Sequence, residues 1–440
     1  MDTISEIRMN FKSRIKLNFD GGNLTSDSGM LLYKQFDEKM GFSKEIRNSL
    51  NIKDDVNHRK HENEDVIMQR IYQNAAGYHA DDDADDLRSD SVFQEILEKD
   101  DLASQPTISR VNNKVNKNTM KQLQTANFNL LDKVYASKPP EKIIFDLDST
   151  NSETYGDQYG AAYNTHYGAD GYHPLLMYDG NTGDLIKAEL RSGNVYTSRQ
   201  SVRFVGPLFK KYSKKFKNIP LYFRADSGFA MPGLYNISEE HDIFYTIRLK
   251  ANSKLYDLAQ PFTEKLAKKF KDNQYKKHVI YGEFEYQAQS WNKKRRVIVK
   301  IKKPKGKLTY EYTFIVTNIN NWSPKKVFKF YCQRGTMENF IKEGKNGFAF
   351  GKMSSTEYWA NANKLQQMVL AYNLNNWMRR LCFPGTTKSY RIETIRNRII
   401  KIAARIVNRS KYAFYKLASS CPYKKLFYTI YENIQKLEFA

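Results

Sequence analysis

Cysteine is scarce in this 440-residue chain: Cys332, Cys382 and Cys421 are the only three, and they stand far apart. That excludes a disulfide framework and a Cys-x-x-Cys metal clip, and it points to a reducing, cytoplasmic setting. Long apolar runs are missing too. No stretch reaches the roughly 18 consecutive apolar residues of a membrane-spanning helix, and the opening "MDTISEIRMNFKSRIKLNF" lacks the apolar core of a signal peptide. The histidines (His58, His61, His79, His166, His173, His241 and His278) are scattered without metal-ligand spacing, so none is given a role. Acids are also short, with 48 Asp+Glu against 71 Lys+Arg and a formal net charge of +23. Such an imbalance repels itself unless a polyanion shares it, and nucleic acid is the first candidate.

What is present supports folded cores: 40% hydrophobic and 14% aromatic residues over a length that predicts two to four units at roughly 100 to 200 residues each. Residues 1–140 are expected to form an all-helical DNA-binding region, because "SDSGMLLYKQF", "ENEDVIMQRIYQNAAG" and "SVFQEILEK" repeat apolar residues at helical spacing. The stretch "SVFQEILEKDDLASQPTISRVNNKVNKNTM" reads as a helix-turn-helix, with Pro106 near the start of its second helix and Arg110, Asn112, Asn113 and Lys114 facing outward. The acidic run "DDDADD" at 81–86 reads as a helix N-terminal charge cluster or a solvated turn.

From Lys142 the pattern changes to strands. "KIIFDLDST", then "HPLLMYD" and "DLIKAELRSG" around the turn "GNTGD", then "IPLYFRADSGF" and "IFYTIRLK" predict an α/β sheet over 141–250, with three antiparallel strands followed by strands joined through helical crossovers. Residues 251–322 read as a β-rich basic insertion, whose Lys294, Arg295 and Arg296 belong to a cluster dense enough to meet phosphates. Helices resume at Ser323-Pro324, an N-cap and first-turn pair, and run through 323–383. The tail 384–440 reads as a basic helix pair carrying Lys388, Arg391, Arg396, Arg398, Lys401, Arg405, Arg409 and Lys411.

The chemistry gathers in three segments. In "FDLDST", Asp146 and Asp148 share one face of a strand that ends where α/β sheets present ligands. In "LYFRADSGF", Asp226 follows an apolar strand and precedes a glycine turn. In "YCQRGTMENFIKEGKNGF", a continuous helix would put Tyr331, Arg334, Glu338, Lys342 and Lys345 within about a quarter-turn, beside a buried stripe of Phe330, Met337, Ile341 and Phe348. Carboxylates from Asp148, Asp226 and Glu338 would form a hard oxygen site suited to Mg²⁺ or Mn²⁺, with room for two ions roughly 4 Å apart. Arg334 and Lys345 would hold the flanking phosphates.

The order Tyr331-x2-Arg334-x3-Glu338-x6-Lys345, together with "DLDST" and "RADSGF", resembles the Tyr-Arg-Glu-Lys signature of DDE-type transposases of prokaryotic insertion sequences, and is similar to the insertion-sequence family numbered thirteen-eighty. The resemblance implies a ribonuclease-H-like mixed sheet flanked by helices and interrupted by the β-rich insertion. It implies Asp148, Asp226 and Glu338 as the metal-binding catalytic triad, with Asp148 preferred to Asp146 because it directly precedes the hydroxyl residues. It further implies Tyr331, Arg334 and Lys345 on DNA near the scissile phosphate, and Trp291, with Trp322 in reserve, stacking on a flipped base. The implied reaction cleaves element ends at terminal inverted repeats through hairpins and joins 3′-OH ends to target double-stranded DNA, in a homodimer with Mg²⁺ or Mn²⁺ and without a membrane, at the nucleoid. Lys342 shares the helical arc but not the signature. Two other readings remain: a sequence-specific DNA-binding protein without catalysis, for which charge and helix-turn-helix suffice, and a carboxylate-pair glycosidase, which leaves the +23 charge unexplained.

Overall fold

The computed structural model describes residues 7–12, 14–53, 58–272, 276–305, 307, 309–409 and 412–439. The chain divides into two compact units, one of Met1–Ser137, Asn346–Ala349 and Gln366–Ala440, the other of Lys138–Lys345 and Phe350–Leu365.

The first unit opens on three two-residue strands, β1 (Ile7–Arg8), β2 (Lys16–Leu17) and β3 (Leu24–Thr25), so the region is not wholly helical. Seven helices follow: α1 (Met30–Met40), α2 (Phe42–Ser49), α3 (Asn63–Ala76), α4 (Asp83–Asp86), α5 (Ser91–Leu97), α6 (Gln105–Lys114) and α7 (Lys117–Ser137). Gly41 in the left-handed region (φ 69°) ends α1 and lets α2 turn away, a conformation that favours glycine. The Asp90 carboxylate caps α5 by accepting from the amides of Val92 and Phe93 at 2.9 and 3.1 Å. The acidic run forms the short α4, where the Asp83 carboxylate accepts from the Ala80 amide and Asp85 from the Gln105 amide. On α6, Ile108, Val111 and Asn112 are buried while Arg110 and Asn113 are exposed, so Asn112, expected to face outward, belongs to the inner face.

The second unit is built on β4 (Ile143–Ser149), β5 (Ser152–Glu153), β6 (Ala162–Asn164), β7 (Ala169–Tyr172), β8 (Leu175–Asp179), β9 (Leu185–Glu189), α8 (Ser201–Lys215), β10 (Leu221–Ala225), α9 (Pro232–Glu240), β11 (Phe244–Leu249), α10 (Ser253–Asp272), β12 (His278–Tyr286), β13 (Arg295–Lys303), β14 (Glu311–Thr317), α11 (Pro324–Cys332) and α12 (Gly335–Phe348). Eight of these strands form one mixed sheet in the order β12-β13-β14-β11-β10-β4-β8-β9. As the strand pattern predicts, β4, β8 and β9 are antiparallel, and β10 and β11 run parallel to β4 after helical crossovers. The stretch read as an insertion differs from expectation. It begins with the twenty-residue helix α10, and its three strands continue the same sheet because β14 pairs antiparallel with β11. The small sheet β5-β7-β6, with no apolar alternation to announce it, was not expected.

Ile143 to Phe145 and Leu147 on β4 and Leu221 to Phe223 on β10 are buried apolar residues in the middle of the sheet. Each such side chain stabilises the fold by about 1.5–3 kcal/mol. One face receives α11 through the cluster of Ile144, Tyr222, Ile319 and Phe330.

The chain closes with α13 (Tyr358–Cys382), α14 (Ile392–Ile395), β15 (Ala404–Arg409), β16 (Tyr412–Leu417) and α15 (Lys424–Gln435). The tail is therefore not a basic helix pair: β15 and β16 form a hairpin that also pairs with β3. "ARIVNR" and "YAFYKL" alternate with period two, which favours strands over helix. Among the tail cations, Arg396 is buried and donates to the carbonyls of Asn74 and Ala75, and Lys401 pairs with Asp27 at 2.6 Å. Lys411 lies outside the described residues.

Candidate active site

Two carboxylates on β4, two residues apart, face the same side of the sheet and meet two arginines. Asp146 stands opposite Arg224 of β10 in register. The pair is fully buried and bidentate, with Arg224 Nε and Nη2 each donating at 2.6 Å. Gly180 packs against this pair so closely that no side chain fits there. Arg224 Nη1 donates to the Phe330 carbonyl at 2.8 Å, and the guanidinium lies 4.9 Å from the Phe330 ring.

That last hydrogen bond shapes the helix above. In a continuous α-helix the Phe330 carbonyl would accept from the Arg334 amide. Here the Arg334 amide turns to Tyr331 O at 2.9 Å, Gln333 turns to Phe330 O, and Met337 to Arg334 O, all i to i+3 bonds. The tighter winding breaks the expected single helix into α11 and α12 at Gln333-Arg334. The five-residue arc is therefore split: Tyr331 stays on α11, Arg334 sits in the junction, and Glu338, Lys342 and Lys345 ride on α12.

The break aims Arg334 into the sheet. Its Nη2 lies 2.8 Å from Asp148 Oδ2, 4.0 Å from Asp226 Oδ2 and 3.4 Å from the Leu147 carbonyl. The Arg334 Nε is buried and has no partner among the described residues. Asp226 follows the last residue of β10, and its carboxylate caps the next turn by accepting from the Gly228 amide at 2.8 Å. Burial pushes the Asp148 carboxyl up to about 6, with the nearby Asp226 charge adding to the rise and Arg334 opposing it. Burial also raises the Tyr331 phenol, with Arg334 opposing and Asp226 contributing. Burial raises the Tyr167 phenol, on the turn into β7, and the charges of Asp148 and Asp226 add to the rise.

The structure thus brings together Asp148, Asp226, Arg334 and Tyr331. It does not bring in Glu338, which is exposed one turn beyond Arg334, and no cluster of three His, Cys, Asp or Glu side chains able to hold a metal forms among the described residues. Lys345 is half-buried, its ammonium lowered by burial and partly restored by Glu153, and Lys342 is exposed. Arg110, Asn113 and Lys294 are exposed. Four other candidates are engaged within the protein in this structure. Trp291 is buried, its ring enclosed by Tyr235, Tyr286 and the Arg295 guanidinium, so it offers no face to a flipped base. Trp322 packs on Tyr222 and Phe330 with Lys326 over its ring. Arg295 is buried against Glu239 and Asn236, and Arg296 is bound to Glu283 and to the carbonyls of Ile319 and Trp322, so both have partners within the protein.

Sequence reasoning passed over Arg224 and Tyr167. Arg224 was legible: it precedes Asp226 by two and is buried on a strand where a lone charge demands a partner. Tyr167 had no such signal.

The family described as transposase DDE domain, group 1, matches residues 7–439. The chain belongs to this transposase family. No curated protein matches it. Two solved structures are similar to this transposase at low identity. One, titled as a cryo-EM structure of the piggyBac transposase synaptic complex with hairpin DNA, is 13% identical over 94% of this chain and 86% of that one, with a TM-score of 0.42. The other, a crystal structure of the Mos1 mariner paired-end complex with Mn, is 14% identical over 44% of this chain and 61% of that one, with a TM-score of 0.17.

Proposed function

We propose that this family member is an active transposase of a prokaryotic insertion sequence, of the kind numbered thirteen-eighty, on a ribonuclease-H-like sheet. The convergence of Asp148 and Asp226 on the Arg334 guanidinium, at adjacent strand ends, carries the reading. Two carboxylates and no nitrogen or sulfur donor fit a hydrated Mg²⁺ or Mn²⁺, which commonly binds through one or two carboxylates and the substrate phosphate. When bound, such an ion supplies a lowered water pKa and neutralisation of charge developing on a phosphodiester. Asp148 and Asp226 would hold it. Glu338 would join, and a second ion with it, only if α12 turned toward the sheet on DNA binding.

The protein groups do the positioning. Arg334 offsets part of the charge of the carboxylate pair and keeps one buried donor, Nε, for a phosphate oxygen. Tyr331 and Lys345, at the half-buried margin of the same helices, would flank the scissile phosphate. The substrates in this reading are terminal inverted repeats and target DNA. Cleavage passes through hairpins, the 3′-OH ends are joined to the target, and the working unit is a homodimer at the nucleoid.

Purified protein, labelled duplexes from the DNA flanking its gene, and Mg²⁺ or Mn²⁺ test the proposal. Cleavage by the wild type, abolished in a folded Asp148→Asn variant, is the expected result. A wild type that binds those duplexes and never cuts them favours the DNA-binding protein without catalysis. Short inverted repeats bracketing the gene, themselves bracketed by a direct duplication, are the matching genomic signature.

A further inference from the structure

We infer that Arg334 is a resident counter-cation for Asp148 and Asp226, and that a DNA phosphate and a divalent ion displace it together, so that each raises the site's affinity for the other. The inference rests on the reading that these carboxylates hold an ion for phosphodiester chemistry. Each carboxylate is fixed through one oxygen by a backbone amide, Asp148 Oδ1 by that of Ser149 at 2.9 Å and Asp226 Oδ1 by that of Gly228 at 2.8 Å. The other two oxygens face a single nitrogen. Arg334 Nη2 stands 2.8 Å from Asp148 Oδ2 and 4.0 Å from Asp226 Oδ2. A divalent ion bound at those oxygens, at about 2.1 Å, meets the charge of a buried guanidinium at close range, where little water screens the repulsion. Arginine and ion therefore compete.

Arg334 has both a reason to leave and room to do so. Its Nε is buried with no partner among the described residues, and its contact with the Leu147 carbonyl is long at 3.4 Å. An unmet buried donor costs stability, whereas a phosphate offers a guanidinium two parallel charge-assisted hydrogen bonds. The backbone at this point is irregular: the Gln333 and Arg334 amides make i to i+3 bonds, and a side chain added at Gly335 would meet nothing within 4 Å. The junction can thus turn to carry Arg334 from the carboxylates to a phosphate. Arg224 is the contrast, since it donates twice to Asp146 and once to the Phe330 carbonyl and is held in place. By linkage, the factor by which DNA raises ion affinity equals the factor by which the ion raises DNA affinity.

Two measurements on the full chain test this: Mn²⁺ binding without DNA, by electron paramagnetic resonance, and anisotropy of a labelled duplex from the flanking DNA, shown uncut on a gel. Without DNA, Arg334→Gln binds Mn²⁺ at least about fivefold more tightly than wild type, Arg334→Lys falls between them, and Asp148→Asn removes the binding. In the wild type, Mn²⁺ tightens duplex binding by at least about fivefold, against the weakening that added salt brings. In Arg334→Gln that gain is absent. Wild-type duplex affinity that Mn²⁺ leaves unchanged or weakens overturns the proposal, and this arm needs no variant. Equal Mn²⁺ affinity in wild type and Arg334→Gln, lost in Asp148→Asn, also overturns it and leaves the ion-dependent transposase standing. No Mn²⁺ binding by any form, with or without duplex, sinks the ion reading as well.

Discussion

Asp146 and Asp148 are two residues apart on one strand, face the same side and each meet one arginine, yet they do opposite things. The Asp146–Arg224 pair is fully buried, doubly hydrogen-bonded and tied to the Phe330 carbonyl, so every strong donor and acceptor is used within the protein. The Asp148–Arg334 contact is single, open on one side to Asp226, and leaves an arginine nitrogen without a partner. A satisfied pair builds structure, and an incompletely satisfied one beside a second carboxylate invites a cation and an anion. The two are coupled in series: the first pair takes the Phe330 carbonyl, the helix breaks, and the break delivers Arg334 to the second.

The largest effect that tests this contrast is on catalysis. Asp148→Asn and Asp226→Asn should each lower DNA cleavage by at least about a thousandfold, a loss of roughly 4 kcal/mol in transition-state stabilisation, with circular dichroism unchanged. Asp146→Ala should do the reverse of a site mutation. It should destabilise the fold by about 3–5 kcal/mol, because Arg224 is left charged and buried, read as a lowered urea midpoint. A stable Asp146→Ala protein with normal unfolding would erase the distinction between the two carboxylates.

A smaller effect follows from protonation. With the Asp148 carboxyl raised to about 6 from 3.8, the folded chain holds this proton more tightly than the unfolded chain does. Its contribution to stability is therefore greatest below about pH 4, falls as pH rises to about 6, and is flat above. Asp148→Asn removes that dependence and should be more stable than wild type at pH 7 by roughly 1–3 kcal/mol, measured by denaturation at pH 4 and pH 7. Smallest of all, Lys342→Ala, on the exposed side of α12, should change stability by less than about 0.5 kcal/mol and leave cleavage intact.

Much of the frame was readable in advance. β4, β8, β9, β10 and β11 are short apolar runs bounded by turn residues, and Ser323-Pro324 starts α11, with the Ser323 hydroxyl accepting from the Lys326 amide. The buried stripe of Phe330, Met337 and Ile341 follows from helical spacing. The helix break did not, because 100° per residue assumes each carbonyl accepts from the amide four residues on, and Phe330 O accepts instead from the Gln333 amide and from a strand arginine 106 positions away in the sequence. The partners of Trp291, Arg295 and Arg296 within the protein were hidden for a related reason. A basic or aromatic residue looks the same on paper whether its partner is a phosphate or a distant Glu239 or Glu283.

Composition and local pattern alone determined the basic character of the chain, the run of helices before the sheet, and the strand ends at which Asp148 and Asp226 stand, since these depend on side-chain chemistry and on periods of two and 3.6 residues. Tertiary structure alone decided which carboxylate was spent on structure, where α11 gives way to α12, and that Arg334 rather than Glu338 faces the carboxylate pair. Those outcomes depend on hydrogen bonds between residues remote in sequence, and no local period encodes such a bond.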